Sequence, residues 1–227
     1  MCINAVKNES FIFATSPSCK NLVNVISYIC YRTFYMAVNL ILQNIAKHIS
    51  LTKPEEDRFL SVLKNKKIRK KQFLSQEGDI SKGPVFITEG ILRSYTVDKN
   101  GFEHILQFAP PGWWIADMFS LVTQQPGSLS IDAVDDSEVL LLPKVELDKL
   151  YKEIPSFERF FRILAENSLV NYQQRLMDNL SLTAKERYNN FCKRYPSLIE
   201  CLPQKQVASY IGVTPEFLSK MLNKKAN

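Results

Sequence analysis

The chain has 227 residues, of which 45% are hydrophobic, so it can bury the core of one large domain or two small ones. Five irregularly spaced cysteines without a C-x-x-C pair, and only two histidines, argue against a disulfide framework, an iron–sulfur cluster or a histidine-rich metal site. The net charge is +6, and residues 181–227, with eight Lys/Arg and three acids, supply +5 of it. Cysteines that stay as free thiols indicate a reducing environment, so a cytoplasmic protein is predicted. No membrane partner is expected, since uncharged runs stop at 14 residues, short of the ~18 that suggest a membrane span.

The first 35 residues differ in composition from the rest of the chain. They hold three of the five cysteines and lack the basic, apolar and small-residue order of a signal peptide. A cleaner helical pattern, MAVNLILQNIAKHISL, opens at Met36. Two explanations stay open: residues 1–35 come from an upstream start assignment, or they form a genuine extension that packs on the body or pairs with a partner.

Two short helices are predicted next, over residues 40–49 and 55–64. Thr52 begins TKPEED, which is typical of a helix start because a hydroxyl, a proline and acids fall in the first turn. The basic run KNKKIRKK at 64–71 follows. Such a run is more often the solvated face of a strand or loop than a nucleic-acid patch, and the first interpretation is favoured.

Residues 72–142 carry the signals of β structure. Short apolar segments at 85–87, 92–97, 103–108, 131–134 and 139–142 are separated by turn residues. The pair Asn100-Gly101 predicts a hairpin with a type I′ turn between the second and third of these segments. Closely spaced short strands of this kind predict an antiparallel barrel or sandwich. The segment GWWIAD at 112–117 interrupts them and predicts a turn followed by a short helix.

A long helix is predicted from Pro155 onward. Its apolar residues recur at helical spacing and form one stripe within an arc of about 100°. The members of that stripe are Phe161, Ala165, Leu169, Tyr172, Leu176 and Leu180. A stripe of this length can pack on the helix's own domain or on a second copy of the chain. We favour a homodimer through Phe161, Leu169, Tyr172 and Leu176, because a twofold-symmetric DNA site needs two copies of the DNA-binding domain.

The stretch PQKQVASYIGVTPEFLSKMLNK at 203–224 has the layout of a helix-turn-helix. A helix over 204–211 ends at Gly212, where glycine accepts a positive φ, and Thr214 and Pro215 suit the start of a second helix. An inner face is predicted from Phe217, Leu218, Met221 and Leu222. The side chains predicted to contact DNA are Thr214, Pro215, Glu216, Ser219, Lys220, Asn223 and Lys224. The alternative is a pair of ordinary surface helices, and the local charge of +5 argues against it.

This order of elements resembles the Crp–Fnr (catabolite activator and fumarate–nitrate regulator) family of bacterial transcription factors, and more narrowly its Bacteroidetes branch. The resemblance rests on FLSQEGD at 73–79, GILRSYTVDKNGFEHILQFAPPGWWIADMFS at 90–120, IPSFERFFRILAEN at 154–167 and PQKQVASYIGVTPEFLSK at 203–220. It covers about residues 36–225. It implies an α+β protein with a cyclic-nucleotide-binding-like antiparallel β-roll at 36–150, a long dimerisation helix at 151–180 and a helix-turn-helix domain at 181–227. The implied partners are a palindromic double-stranded DNA operator, a second copy of the chain and, as a further candidate, RNA polymerase.

The resemblance also places an effector pocket in the roll. Its residues here are Arg93, Trp113, Asp117, Met118, Ser128 and Ser130. Members that bind a nucleotide hold the cyclic phosphate with a Gly-Glu near the short helix and an Arg-Ala/Ser soon after. No arginine stands at the matching positions 125–130, so tight binding of cyclic AMP is not expected. No cofactor is required, and the identity of any effector stays open.

The end of the chain is a second departure from the family pattern. Few residues follow the second helix of the motif, so the β-hairpin wing is expected to be short or missing. Lys224 and Lys225 are its candidate replacements for phosphate contacts.

Two other functional classes are alternatives to a DNA-binding regulator. An enzyme on a cupin-like barrel needs clustered histidine and carboxylate ligands, and His104 is the only histidine in the β region. A ligand-binding or protein-interaction module with a purely structural helix-turn-helix fits the +5 charge of residues 181–227 less well. The sequence therefore predicts a regulator rather than an enzyme.

Overall fold

The structure is a computed structural model, and it describes residues 35–223. The chain divides into two compact units, 1–38 and 39–227. Of the first unit only the helical residues 35–38 are described, so the fold below is that of the second. The predictions about the N-terminal extension, about a wing, and about Lys224 and Lys225 fall on residues outside the described range.

Within the described residues, eight β-strands form two four-stranded sheets in which every observed pair is antiparallel. The strands are β1 (Lys64–Ile68), β2 (Phe73–Ser75), β3 (Val85–Glu89), β4 (Leu92–Val97), β5 (Glu103–Ala109), β6 (Trp114–Ile115), β7 (Ser130–Ala133) and β8 (Ser137–Leu141). Their order is β1-β8-β3-β6 in one sheet and β2-β7-β4-β5 in the other. The antiparallel β-roll expected from the sequence is confirmed.

Helices precede, interrupt and follow this roll. They are α1 (35–46), α2 (Lys53–Val62), α3 (Met118–Thr123), α4 (Lys144–Glu153), α5 (Ser156–Ser181), α6 (Ala184–Arg194), α7 (Gln204–Ile211) and α8 (Pro215–Asn223). The predicted long helix is present as α5, with Pro155 directly before it. None of the helices in this range combines the length and apolar character needed to cross a membrane.

The basic run at 64–71 lies partly in a strand. Lys64, Lys66 and Lys67 are exposed on β1, and only Ile68 of that strand is buried. β1 pairs with β8 along its whole length, which explains why α2 ends at Val62 instead of continuing to residue 64 as predicted. The interpretation of the run as a solvated strand is confirmed.

The β4–β5 hairpin is present, but its turn differs from the prediction. Gly101 has a φ of 82°, whereas Asn100 is not among the residues with positive φ, so a type I′ turn is wrong. The connection spans residues 98–102. The Asp98 carboxylate accepts the N–H groups of Asn100 at 2.8 Å and Phe102 at 3.0 Å. This carboxylate satisfies the loop backbone, and a longer loop is thereby preferred to the two-residue turn.

Three apolar clusters build the core. One lies between the two sheets and is lined by β-branched and small residues such as Val85, Ile131 and Val139. A second packs α1, α2, α4 and the start of α5 on the sheet that contains β3 and β8. The third joins β4 and β5 of the other sheet to α6, α7 and α8, with Phe108 and Phe191 fully buried in it. The C-terminal helices therefore share a core with the roll.

Candidate functional site

The turn between α7 and α8 forms as the sequence predicts. Gly212 adopts a left-handed φ of 71°, and the N–H of Val213 donates to the carbonyl of Ala208 at 3.0 Å, which closes the end of α7. The Thr214 hydroxyl accepts the N–H of Phe217 at 3.2 Å, and Pro215 occupies the first position of α8. The chain thus reverses over three residues between two helices that pack on each other.

The outer face of α8 is polar and open. Glu216, Lys220 and Asn223 are exposed, and Ser219 is half-buried beside them. The backbone N–H of Glu216 and the Thr214 hydroxyl, together with the nearby Lys220 charge, lower the pKa of the Glu216 carboxyl. The structure therefore brings the predicted contact residues onto one surface, apart from Lys224, which lies outside the described range.

Phe217 does not lie where the sequence places it. Its side chain is 52% exposed, while Leu218 is fully buried and Met221 and Leu222 are half-buried. The inner face of α8 thus runs through 218, 221 and 222, at the i, i+3, i+4 spacing of a helix. The assignment of Phe217 to that face is wrong because it lies one residue outside this stripe.

Ser209 of α7 bonds to the backbone of β5. Its hydroxyl donates to the carbonyl of Glu103 at 2.5 Å and accepts the N–H of Ile105 at 3.0 Å. One short side chain therefore satisfies two backbone groups that face away from β4, as a neighbouring strand would. These bonds fix the position of α7 along the strand.

Arg175 of α5 binds the same region from a third element. Its guanidinium donates to the carbonyls of Leu106, of Ile105 at 2.6 Å and of Tyr210 at 2.7 Å, and it lies over the Tyr210 ring at 3.9 Å. Burial lowers the pKa of this guanidinium. Sequence reasoning missed Arg175, although it is the only charged residue between Glu166 and Asp178 in an otherwise uncharged stretch of the helix.

Arg93 of β4 is bound by two carboxylates on the face of its sheet that also carries Tyr95. Its guanidinium donates to Asp132 at 2.7 and 2.9 Å and to Glu103 at 2.6 Å. Burial lowers the pKa of Arg93, but its hydrogen bonds to Asp132 and Glu103 together outweigh that effect and leave the pKa above its ordinary value. Arg93 is the one arginine among the predicted effector residues. Its guanidinium N–H groups already bond two carboxylates of the same chain.

The Asp117 carboxylate is bound by three backbone N–H groups of the roll. Its carboxylate accepts the N–H groups of Ser120, Ser128 and Leu129, each at 3.1 Å. Gly127 lies so close that a Cβ there would stand 2.4 Å from the Asp117 carboxylate. These donors, at the start of α3 and in the loop before β7, are therefore used by an internal anion.

The other predicted effector residues lie in different surroundings. Trp113 packs on Tyr195 of the C-terminal helices, with ring centroids 5.5 Å apart. Met118 and Ser128 are exposed, and the Ser130 hydroxyl accepts the N–H of Glu77 at 3.2 Å. Within residues 35–223 no three His, Cys, Asp or Glu side chains are grouped so that they could hold a metal ion.

The predicted dimer residues divide into two groups along α5. Phe161 packs against Trp114, Tyr151 and Phe160 of its own chain. Leu169, Tyr172 and Leu176 are instead 60%, 39% and 59% exposed. Three further apolar residues share this exposed part of the helix, namely Val170, Met177 and Leu180. We call the six exposed residues the α5 apolar surface.

The chain resembles known regulators in sequence and in fold. Residues 65–153 match the model of the cyclic nucleotide-binding domain family. Over 187 residues the chain is 22% identical to the regulatory protein HlyX of Actinobacillus pleuropneumoniae, with 77% of each chain covered. It is 26% identical over 187 residues to the fumarate and nitrate reduction regulatory protein of Vibrio cholerae, covering 77% of this chain and 74% of the relative.

A solved structure supports the same fold. The c-di-GMP responsive global regulator CLP of Xanthomonas campestris superposes with a TM-score of 0.63 at 13% identity, over 77% of this chain and 92% of CLP. The prediction of a regulator rather than an enzyme is confirmed by these relatives, while the Bacteroidetes branch stays a prediction. The chain therefore contains a cyclic nucleotide-binding domain at residues 65–153, and over about three quarters of its length it is similar to regulators of the Crp–Fnr type.

Proposed function

We propose that this chain is a transcription regulator that binds a palindromic DNA operator as a homodimer. The observation that carries the proposal is the outer face of α8, where Glu216, Lys220 and Asn223 are exposed together on a helix fixed by a buried inner face. A helix of this kind fits the major groove, where such side chains bond base edges and phosphates. A regulator acting on DNA would work in the cytoplasm, as the free cysteines suggest.

The α5 apolar surface supports the homodimer. Six large apolar side chains exposed on neighbouring turns of one helix form a patch that isolated soluble domains avoid. In a dimer with a twofold axis, the α5 apolar surface of one copy would pack against that of the other, and both would be buried. The pair would then carry two α8 helices, as a palindromic site requires.

The roll is proposed not to bind cyclic AMP tightly. A cyclic phosphate would have to displace the Asp117 carboxylate from three N–H donors, or detach Arg93 from Asp132 and Glu103. Either exchange breaks charge-assisted hydrogen bonds that already exist. The domain would therefore be retained as a fold, with the Asp117 carboxylate using N–H donors that a ligand anion would need.

A mobility-shift titration tests the DNA proposal. The probe is a labelled duplex from the upstream region of the protein's own gene, titrated with the wild-type chain, Lys220→Glu and Lys66→Glu. Lys66 is also an exposed lysine and lies on β1, so it controls for the loss of net charge. Binding by wild type and Lys66→Glu, with at least a tenfold loss in Lys220→Glu, is expected. Equal binding by all three proteins would favour a module whose helix-turn-helix is only structural.

A further inference from the structure

A cleft of about 440 Å³ opens between α5 and α6, beside the end of α7. This volume is in the range of small-ligand sites. The side chains that matter for binding are Arg175 and Asp178 of α5 and Arg187, Asn190, Lys193 and Arg194 of α6. The cleft is separate from the roll and from the outer face of α8.

The cleft is strongly positive. It is lined by four cations and one carboxylate, an excess of three positive charges. The two oxygens of Asp178 accept from the amides of Gln174 at 2.8 Å and Asn190 at 3.0 Å, so this carboxylate is bound by neutral groups. Among residues 35–223, no ion pair joins Arg175, Arg187, Lys193 or Arg194 to an acid.

Two of the cations keep unused donors. Arg187 binds the carbonyls of Ile211 and Leu182 through Nε and Nη1, which leaves its Nη2 without a hydrogen-bond partner in the described structure. Arg194 donates from Nη1 to Asn171 at 2.8 Å, while its Nε is buried and unpartnered. The Arg194 Nε has no surface that a ligand could reach, whereas the Nη2 of Arg187 is accessible. A group that enters the cleft could therefore accept a hydrogen bond from Arg187.

The cleft and the α5 apolar surface lie on opposite sides of the helix. At 100° per residue, Asp178 is about 180° around the axis from Leu169. Asn171 and Arg175 fall on the same side as Asp178. A second copy packed on the apolar surface would therefore leave the cleft open.

We propose that this cleft binds a small metabolite that carries a phosphate group. A phosphate monoester has a charge of about −1.5 to −2 at pH 7, which balances the excess of three better than a single carboxylate. Its oxygens also match the fork of donors that a guanidinium presents. Arg194 and Lys193 would supply the first contacts, with Arg187 completing them.

A ligand in this position would join the dimer helix to the C-terminal helices. It would touch α5 on one side and α6 on the other, and these elements set the placement of α8. If the proposed DNA-binding function holds, ligand binding would therefore change the affinity for DNA. The binding step itself does not depend on that function.

Calorimetry of the full chain tests the site without DNA. The titrant is inorganic pyrophosphate, with citrate as a carboxylate comparison, and the proteins are wild type, Lys193→Gln, Arg194→Gln and Lys205→Gln. Lys205 is exposed on α7 and does not line the cleft, so it matches the charge lost in Lys193→Gln. Pyrophosphate is expected to bind wild type below about 1 mM, with a roughly tenfold weaker constant in Lys193→Gln and Arg194→Gln and no change in Lys205→Gln.

Three results would overturn the proposal: no pyrophosphate binding up to about 10 mM, equal binding by all four proteins, or citrate binding as tight as pyrophosphate. Thermal melts show whether Arg194→Gln folds normally, and Lys193→Gln decides the question if it does not. A chain that binds pyrophosphate but no DNA would keep this site and refute the proposed function. DNA binding without pyrophosphate binding would do the reverse.

Discussion

Individual side chains decide what this protein can contact. On α8 the outer residues are exposed, whereas in the roll Arg93 and Asp117 are each bound by groups of the same chain. Charged side chains are therefore open to solvent on α8 and occupied by internal partners in the roll. Exposure and hydrogen bonding separate the two cases, although composition does not.

Lys220 is expected to read a base as well as to attract phosphate. Lys220→Ala should cost about 1–3 kcal/mol on the cognate duplex and relax the preference at one base pair in each half-site. If Lys220 contacts phosphate alone, cognate and random duplexes should weaken equally, and the salt slope should fall by about one unit. Titrations of both duplexes at two salt concentrations measure this difference.

Asp117 is expected to stabilise the roll from within. Asp117→Ala leaves three N–H groups without their acceptor, including the buried N–H of Ser120, which should lower the free energy of unfolding by about 1–3 kcal/mol. The control is Asp148→Ala, which removes an exposed carboxylate paired with Lys144 and should cost less than about 0.5 kcal/mol. Urea unfolding compares the two, and equal losses would contradict the internal role of Asp117.

Cyclic AMP should give no calorimetric signal with the wild-type chain below about millimolar, where binding is worth only about 4 kcal/mol. The reason is that both the N–H donors around Asp117 and the fork of Arg93 are occupied. A micromolar constant would show that a nucleotide can displace one of these internal partners.

Individual elements show which structural features the sequence predicts correctly and which it does not. The hairpin between β4 and β5 was located by Asn100-Gly101, but its turn type was not, because the Asp98 carboxylate competes for the loop N–H groups. The inner face of α8 was predicted one residue too wide at Phe217, since apolar character alone does not show where a stripe ends. Local patterns in the sequence thus predicted where the elements lie. The turn type depended on side-chain hydrogen bonds to the backbone, which those patterns do not show.

The long-range contacts were beyond the sequence. Ser209 and Arg175 bind β5 from positions about a hundred and about seventy residues further along the chain. Nothing in a single sequence pairs a helix serine with a particular strand, because the pairing depends on which surfaces the fold brings together. The cleft between α5 and α6 was missed for the same reason.

Helix α5 is predicted to form the dimer interface. Leu176→Glu should place an unpaired charge in the α5 apolar surface and convert the dimer to monomer at micromolar concentration. Val145→Glu, which changes an equally exposed apolar residue on α4, should leave the dimer intact. Sedimentation equilibrium measures both variants. A dimeric Leu176→Glu protein would place the interface elsewhere.

At the scale of the whole molecule, three parts of the chain meet at β5. Phe108 of that strand lies among Phe191, Tyr195 and Tyr210, with ring centroids 5.8 to 6.1 Å apart. Ser209 and Arg175 bond the strand's backbone beside this aromatic group. Any movement of the C-terminal helices relative to the roll must break these contacts together.

Arg175→Met is expected to loosen this junction without unfolding the roll. The variant keeps the length of the side chain but removes the donors to three carbonyls, so backbone amides in residues 103–109 and 204–211 should exchange hydrogen faster. Amides in β3 and β8 should be unchanged. The control is Arg162→Met, which removes an exposed pair with Glu166 from the same helix. Hydrogen–deuterium exchange measured by mass spectrometry compares the peptides, and identical rates in the two variants would refute the role of Arg175.

The position of β5 at the end of its sheet has a consequence for solubility. An edge strand with free N–H and C=O groups is a template on which other chains can add strands and aggregate. In this protein Ser209 and Arg175 cover those groups at Glu103, Ile105 and Leu106. Helices α5 and α7 therefore also protect the roll from self-association. A roll expressed without them would expose this edge and should precipitate, even though its own core is complete.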